Sequence, residues 1–206
     1  MHPSPDLFPH VGLQPSTHGE SPGIRTPLGE VDVTAAVDGH PLRLDAAVVY
    51  RTANGARLWV WEGGVFRAEL LRCRPACRLP DGMRVAGCEA AMWRLLATER
   101  PAECEVSCRW QAALRQSGDP EPAANLASQR WSDRGRQVSI GTPDRGGAVH
   151  YLPDGFAVSA PLDRGAAFQT HFVVAWSAAL PADEATRFAV DCTPDQVLAG
   201  IASPAG

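Results

Sequence analysis

Hydrophobic positions along this chain recur mostly with a period of two. From residue 30, Val31 and Val33 alternate with acids, and Leu42 and Leu44 alternate with Arg43 and Asp45. AAVVYR (46–51), RLWVWE (57–62) and VFRAELLR (65–72) follow as extended runs. Residues i and i+2 of a strand share a face, so each run buries one side and leaves the other to solvent or to a second layer. Asp38-Gly39, Asn54-Gly55 and Gly63-Gly64 punctuate these segments. Asn-Gly tolerates the positive φ of a tight hairpin, which predicts an antiparallel meander over the last three runs.

A second β region is predicted at RQVSIGT (136–142), AVHYL (148–152), FAVSA (156–160) and AAFQTHFVVAW (166–176), with a reversal at Pro153-Asp154-Gly155. Phe168, Thr170, Phe172, Val174 and Trp176 share one face of the last run. Its unbroken FVVAW implies burial on both sides. TRFAVDC (186–192) reads as a final strand, and Thr193-Pro194-Asp195-Gln196 has the form of a capping box with proline at the first helical position. That signature predicts a short helix reaching about Ala202.

Between these halves the periodicity changes. ECEVSCRW (103–110) alternates, with Cys104, Val106, Cys108 and Trp110 on one face. At 87–100, Cys88, Ala91, Met92, Leu95 and Leu96 fit one face of a helix, Trp93 lies off that face, and Pro101 ends the run. SGDPEPAAN (117–125) reads as a loop and ANLASQRW (124–131) as an added helical turn. The expected fold is mainly β (or α+β), an antiparallel sandwich or open roll. It comprises a β half at 30–72, a crossover at 73–116 carrying one inserted helix (about 87–100), a β half at 136–192 and a short C-terminal helix. Residues 1–23, with five prolines, three histidines and no hydrophobic period, are expected to form a flexible arm before a single domain at 24–206.

Composition narrows the chemistry. All nineteen basic residues are Arg, so Schiff-base, P-loop, kinase-lysine and Ser-x-x-Lys chemistries are excluded. The net charge of −4 argues against nucleic acid as a partner. No apolar run reaches the ~18 residues of a membrane span. The first residues lack the basic and apolar regions of an export signal, so the expectation is a cytoplasmic protein with reduced thiols.

Five of the six cysteines fall between 73 and 108. As a zinc site, Cys73, Cys77, Cys88 and one or both of Cys104 and Cys108 would supply the thiolates, although both close pairs are Cys-x3-Cys rather than Cys-x2-Cys. On a strand, residues four apart lie roughly 13 Å apart at ~3.3 Å per residue, which no single ion spans. Buried cysteine is also a common small core residue. Cys73 and Cys77 sit among Arg72, Arg74 and Arg78, where positive charge favours thiolate and hence a nucleophile or redox sensor. His150 and His171 are the candidate catalytic histidines, and with Arg side chains they could line a pocket between sheets. Trp59 and Trp61, on one face of a strand, and Trp93 are candidate anchors for a partner.

No nucleophile elbow, zinc-protease helix, dinucleotide turn or calcium loop is present. The favoured expectation is a non-catalytic protein-binding or accessory factor of the immunity- or assembly-partner type, with no cofactor. The alternatives are a small enzyme or ligand carrier using His150 and His171, and a structural zinc or redox-thiol module.

Overall fold

The computed structural model describes residues 14–15, 21–52, 55–75, 87–111, 121–122, 128–133, 136–142, 147–177 and 192–202. In chain order the described strands are β1 (Gln14–Pro15), β2 (Ile24–Thr26), β3 (Gly29–Val37), β4 (His40–Pro41), β5 (Val48–Arg51), β6 (Arg57–Glu62), β7 (Phe66–Cys73) and β8 (Gly87–Ala97). They continue as β9 (Ala102–Trp110), β10 (Glu121–Pro122), β11 (Ser128–Asp133), β12 (Arg136–Gly141), β13 (Ala148–Leu152), β14 (Gly155–Leu162) and β15 (Ala167–Ser177), before helix α1 (Pro194–Ala202). A nine-stranded sheet runs β1-β5-β6-β7-β8-β15-β12-β11-β10, and a six-stranded sheet runs β13-β14-β9-β3-β2 with β4 also on β3. Every pairing is antiparallel, so the predicted mainly-β sandwich stands.

The two sheets enclose one core. Val31, Val33, Cys108, Val158 and Phe156 of the smaller sheet meet Trp59, Trp93, Trp131 and Phe172 of the larger one. The alternation legible in β3, β9 and β14 is the inward face of a sheet whose outer face is polar. A second apolar cluster lies on the far face of the nine-stranded sheet, where Leu58, Leu71, Met92 and Val173 are covered by Cys192 and by Val197 of α1. That two-sided burial explains why the central strands β8 and β15 read as nearly continuous apolar runs.

The expected helix at 87–100 is the main correction, because Gly87–Ala97 is the eleven-residue central strand β8. It pairs with β7 over Cys73↔Ala90 to Phe66↔Ala97 and with β15 over Trp176↔Gly87 to Ala167↔Leu96. With both faces buried, an apolar residue suits nearly every position, and the helical spacing of Cys88, Ala91, Met92 and Leu95 is coincidental. Trp93, off the imagined helical face, points into the core. The expected helical turn at 124–131 is also corrected, since its described part belongs to β11. Parts of the expected arm are tied down: Gln14 and Pro15 pair with Arg51 and Tyr50, and Gly23 is held by Arg72. The remainder of that arm and the expected strand at 186–191 lie outside the described residues.

Local signals read correctly where they carried their own geometry. Thr193 N–H donates to Gln196 Oε1 at 2.8 Å and Gln196 N–H to Thr193 Oγ1 at 3.3 Å, the reciprocal bonds of a capping box. Gly55 has φ 84° in the β5–β6 connection, and Asp38 and Gly39 have φ 51° and 76° in the β3–β4 turn.

Candidate functional site

β3 is next to last in the six-stranded sheet, and β2 and β4 each cover only part of its outer side. β2 covers it only as far as Ile24↔Val31, and β4 only over Ala36↔Pro41 and Val37↔His40. Toward β9, the bonds Gln111 N–H to Glu30 O (3.1 Å) and Asp38 N–H to Glu103 O (2.8 Å) set the alternation. Even-numbered residues of β3 therefore bond β9, and the peptide groups of odd-numbered ones point the other way. Continuing the β2 register would bring Pro22 opposite Val33. Proline has no N–H to give the Val33 carbonyl, so the ladder ends there. From the other side Leu42 N–H reaches Ala35 O at 2.8 Å, after which the chain coils into a 3₁₀ turn at Leu44–Ala46. What remains is a notch in the sheet edge at Val33.

Behind the notch lies a cavity of about 80 Å³ lined by Pro22, Gly23, Val33, Leu42, Trp61 and Trp93 among others. Leu44 stands on its rim, 46% exposed. Both walls are pinned. Arg72 donates to the Gly23 carbonyl while paired with Glu89 at 2.6 Å, and Trp61 Nε1–H donates to the Arg43 carbonyl at 2.8 Å. Trp61 and Trp93 stack with centroids 5.5 Å apart. Trp93 Nε1 is buried without a hydrogen-bond partner, as is Thr170 Oγ1 directly across the ladder from it.

The residues picked from sequence are distributed differently. Trp59, Trp61 and Trp93 are core residues, 0%, 3% and 1% exposed, so none projects as a surface anchor; Trp61 and Trp93 line the cavity behind β3. His150 and His171 do not share a pocket between sheets. His150 is exposed on the outer face of β13, its Nε2 2.8 Å from Ser159 Oγ. Sequence reading missed Ser159, because a contact across a hairpin leaves no linear motif. A histidine beside a hydroxyl is one element of nucleophilic chemistry. Among the described residues, however, no side chain hydrogen-bonds the other ring nitrogen.

His171 is buried on the far face of the nine-stranded sheet, its Nε2 2.7 Å from the Cys192 carbonyl. A carbonyl only accepts, so Nε2 carries the proton. Burial pushes this imidazole below its ordinary 6.5, against the opposing effect of the carbonyl bond. The folded protein therefore holds His171 neutral at pH values where the unfolded chain protonates it. Stability from this group is complete above about pH 6.5 and falls as the pH drops below it. Urea unfolding at about pH 7.5 and 5.5 should show wild type losing more stability than His171→Gln; equal losses would assign the acid sensitivity elsewhere.

The thiols do not converge. All five described cysteines are buried. Cys104 and Cys108 face the inter-sheet core, whereas Cys73 and Cys88 belong to the cluster on the far side of the nine-stranded sheet. Packed sheets are ~10 Å apart, far beyond the ~2.3 Å of a zinc–sulfur bond. Among the described residues no group of three or more His, Cys, Asp or Glu is placed to hold a metal; Cys77 lies outside them. Burial pushes the Cys104 thiol up to about 11 and the Cys108 thiol further still, the opposite of activation. Cys73, expected to be Arg-activated, donates its thiol to the Val197 carbonyl at 3.2 Å, and Arg72 is turned toward Glu89.

A polar belt also escaped the sequence reading. On the far face of the nine-stranded sheet, Glu69, Arg94 and Gln169 are cross-strand neighbours. Glu69 is fully buried and takes Arg67 Nη2 at 2.7 Å, Arg67 reaches Glu62 at 3.3 Å, and Arg94 donates to Gln169. Burial lowers the Arg94 pKa, with Glu69 opposing. These groups satisfy one another, which is the pattern of a structural network.

No family model and no curated protein matches this chain. Among solved structures it is similar to part of a protein described as a kojibiose phosphorylase from the human microbiome, with TM-score 0.55 and 6% identity over 82% of this chain and 26% of that one. The heparan sulfate lyase HepC from Pedobacter heparinus, solved as a mutant, aligns with TM-score 0.44 and 9% identity over 72% of this chain and 24% of that one. At such identity the likeness is one of fold. The chain spans about a quarter of the length of each.

Proposed function

We propose that this protein is a non-catalytic binding module that takes an extended segment of a partner protein into the notch of β3. The observation that carries the reading is the interruption of the sheet edge at Val33, between β2 and β4, with a Trp-floored cavity behind it. Adding a strand to an open edge draws affinity from main-chain hydrogen bonds, and a pocket beside the edge selects the side chain. The cavity suits that role by size. At about 80 Å³ it takes one small side chain, whereas sites for free small-molecule ligands run to roughly 300–1,000 Å³. The chemistry around it supports a binder too, since the lining is mostly apolar and aromatic, joined by Ser21, Asp32 and Thr34, and holds no titratable pair.

Selection of random displayed heptapeptides against the full chain tests this. Enriched peptides should shift the amide resonances of Val33, Ala35 and Leu42, and Leu44→Asp at the exposed rim should weaken them at least ten-fold without changing the circular dichroism spectrum. Peptides that bind Leu44→Asp undiminished, or a selection that enriches nothing, would overturn the proposal.

A further inference from the structure

Four arginines stand together at one end of β5, β6 and β7. The registers place Arg51 directly opposite Arg57, and Arg57 directly opposite Arg72, so three of them form one cross-strand row. Side chains opposed in this way leave their strands on the same face, with Cβ atoms about 4.5–5.5 Å apart. Arg57 shares its face with Trp59 and Trp61, so the row lies on the side that looks toward the smaller sheet. Arg74 follows two residues past Arg72. It is exposed, as is Arg51, while Arg57 and Arg72 are partly buried. Like charges directly opposed across strands are destabilising, so a row of this kind is favoured when an anion joins it.

Arg72 is held in place by the protein itself. Glu89 takes its Nε at 2.6 Å, and its Nη1 donates to the carbonyls of Ser21 and Gly23. Among the described residues, Arg72 Nη2 and the Arg74 guanidinium have no hydrogen-bond partner. Arg51 and Arg57 do engage other groups of the chain, but a guanidinium carries five N–H donors, and one partner leaves several of them for a ligand. We propose that Arg57, Arg72 and Arg74, with Arg51 at the outer end, form a seat for one tetrahedral oxyanion, the phosphate or sulfate group of a small ligand. Three planar forks offer more paired donors than the two oxygens of a carboxylate can take, whereas a tetrahedral group presents oxygens in several directions. The overall charge of −4 disfavours a long polyanion on the same surface. This seat is independent of the peptide notch at Val33.

Calorimetric titration of the full chain with inorganic phosphate, sulfate and acetate tests the proposal, at matched ionic strength because exposed charges are screened by salt. Phosphate or sulfate should bind saturably at one site, and the tighter of the two names the group. Acetate should bind more weakly than either. Arg74→Gln, an exposed change expected to leave the thermal unfolding in chloride unaltered, should weaken binding about ten-fold, the worth of one charge-assisted hydrogen bond. Arg164→Gln, on the exposed turn between β14 and β15, should leave the affinity unchanged. No saturable binding of phosphate or sulfate, undiminished binding by Arg74→Gln, or an equal loss in Arg164→Gln would overturn the seat. Acetate binding as tightly as the others would overturn its assignment to a tetrahedral group.

Discussion

Gly155→Ala should destabilise the protein by roughly 2–6 kcal/mol, a large part of the ~5–15 kcal/mol that holds a typical domain folded. Gly155 follows the Pro153-Asp154 turn with φ 151°, a conformation that L side chains rarely adopt. A Cβ there would lie 2.0 Å from the Cys108 carbonyl oxygen and 2.9 Å from the Arg109 Cα. Both obstacles are backbone and cannot rotate aside, so β14 would have to move off β9 along the seam that joins the β13–β14 hairpin to its sheet. Gly165 is the control. Its φ is 78°, but a methyl group there would meet nothing within 4 Å, so Gly165→Ala should cost only about 1 kcal/mol, the conformational part. Urea unfolding followed by tryptophan emission separates the two; equal midpoints would show that the seam yields.

Glu69→Ala should cost about 3–5 kcal/mol, because it strips a buried guanidinium of its partner. Glu69 has no exposed surface, and its Arg67 partner has a side chain only 13% exposed, with the more open Glu62 as second contact. Arg94, already lowered by burial, loses the negative charge that opposes that shift. Replacing Glu69 and Arg67 together by leucine should restore much of the loss, since an apolar pair of similar volume avoids the desolvation of both ions. A double substitution no more stable than Glu69→Ala would mean that the belt contributes through geometry rather than charge pairing.

The two β halves, the Asp38-Gly39 and Pro153-Asp154-Gly155 reversals and the capped helix at Thr193 were legible because each rests on bonds between residues close in sequence. The strand β9 was equally legible, since Glu103, Glu105 and Arg109 remain on an exposed face and keep the alternation visible. β8 was not, because burial on both faces removes the polar half of the pattern. The thiols illustrate the same limit. Their closeness in sequence suggested one cluster, yet β8 and β9 run in different sheets and carry Cys88 and Cys104 to separate cores.

The notch was the least legible feature, although one of its causes stands plainly in the chain as Pro22. A proline says that a ladder bond is missing only once the register opposite it is known, and that register depends on β2 folding back upon β3. By itself, then, the sequence determined the strand-forming segments, the turn positions, the helix cap and the absence of lysine chemistry, all properties of neighbouring residues. Tertiary structure alone decided which strands share a sheet, which face of each tryptophan is covered and where an edge is left open. Those depend on pairings between segments far apart in the chain, whose partners no local periodicity specifies.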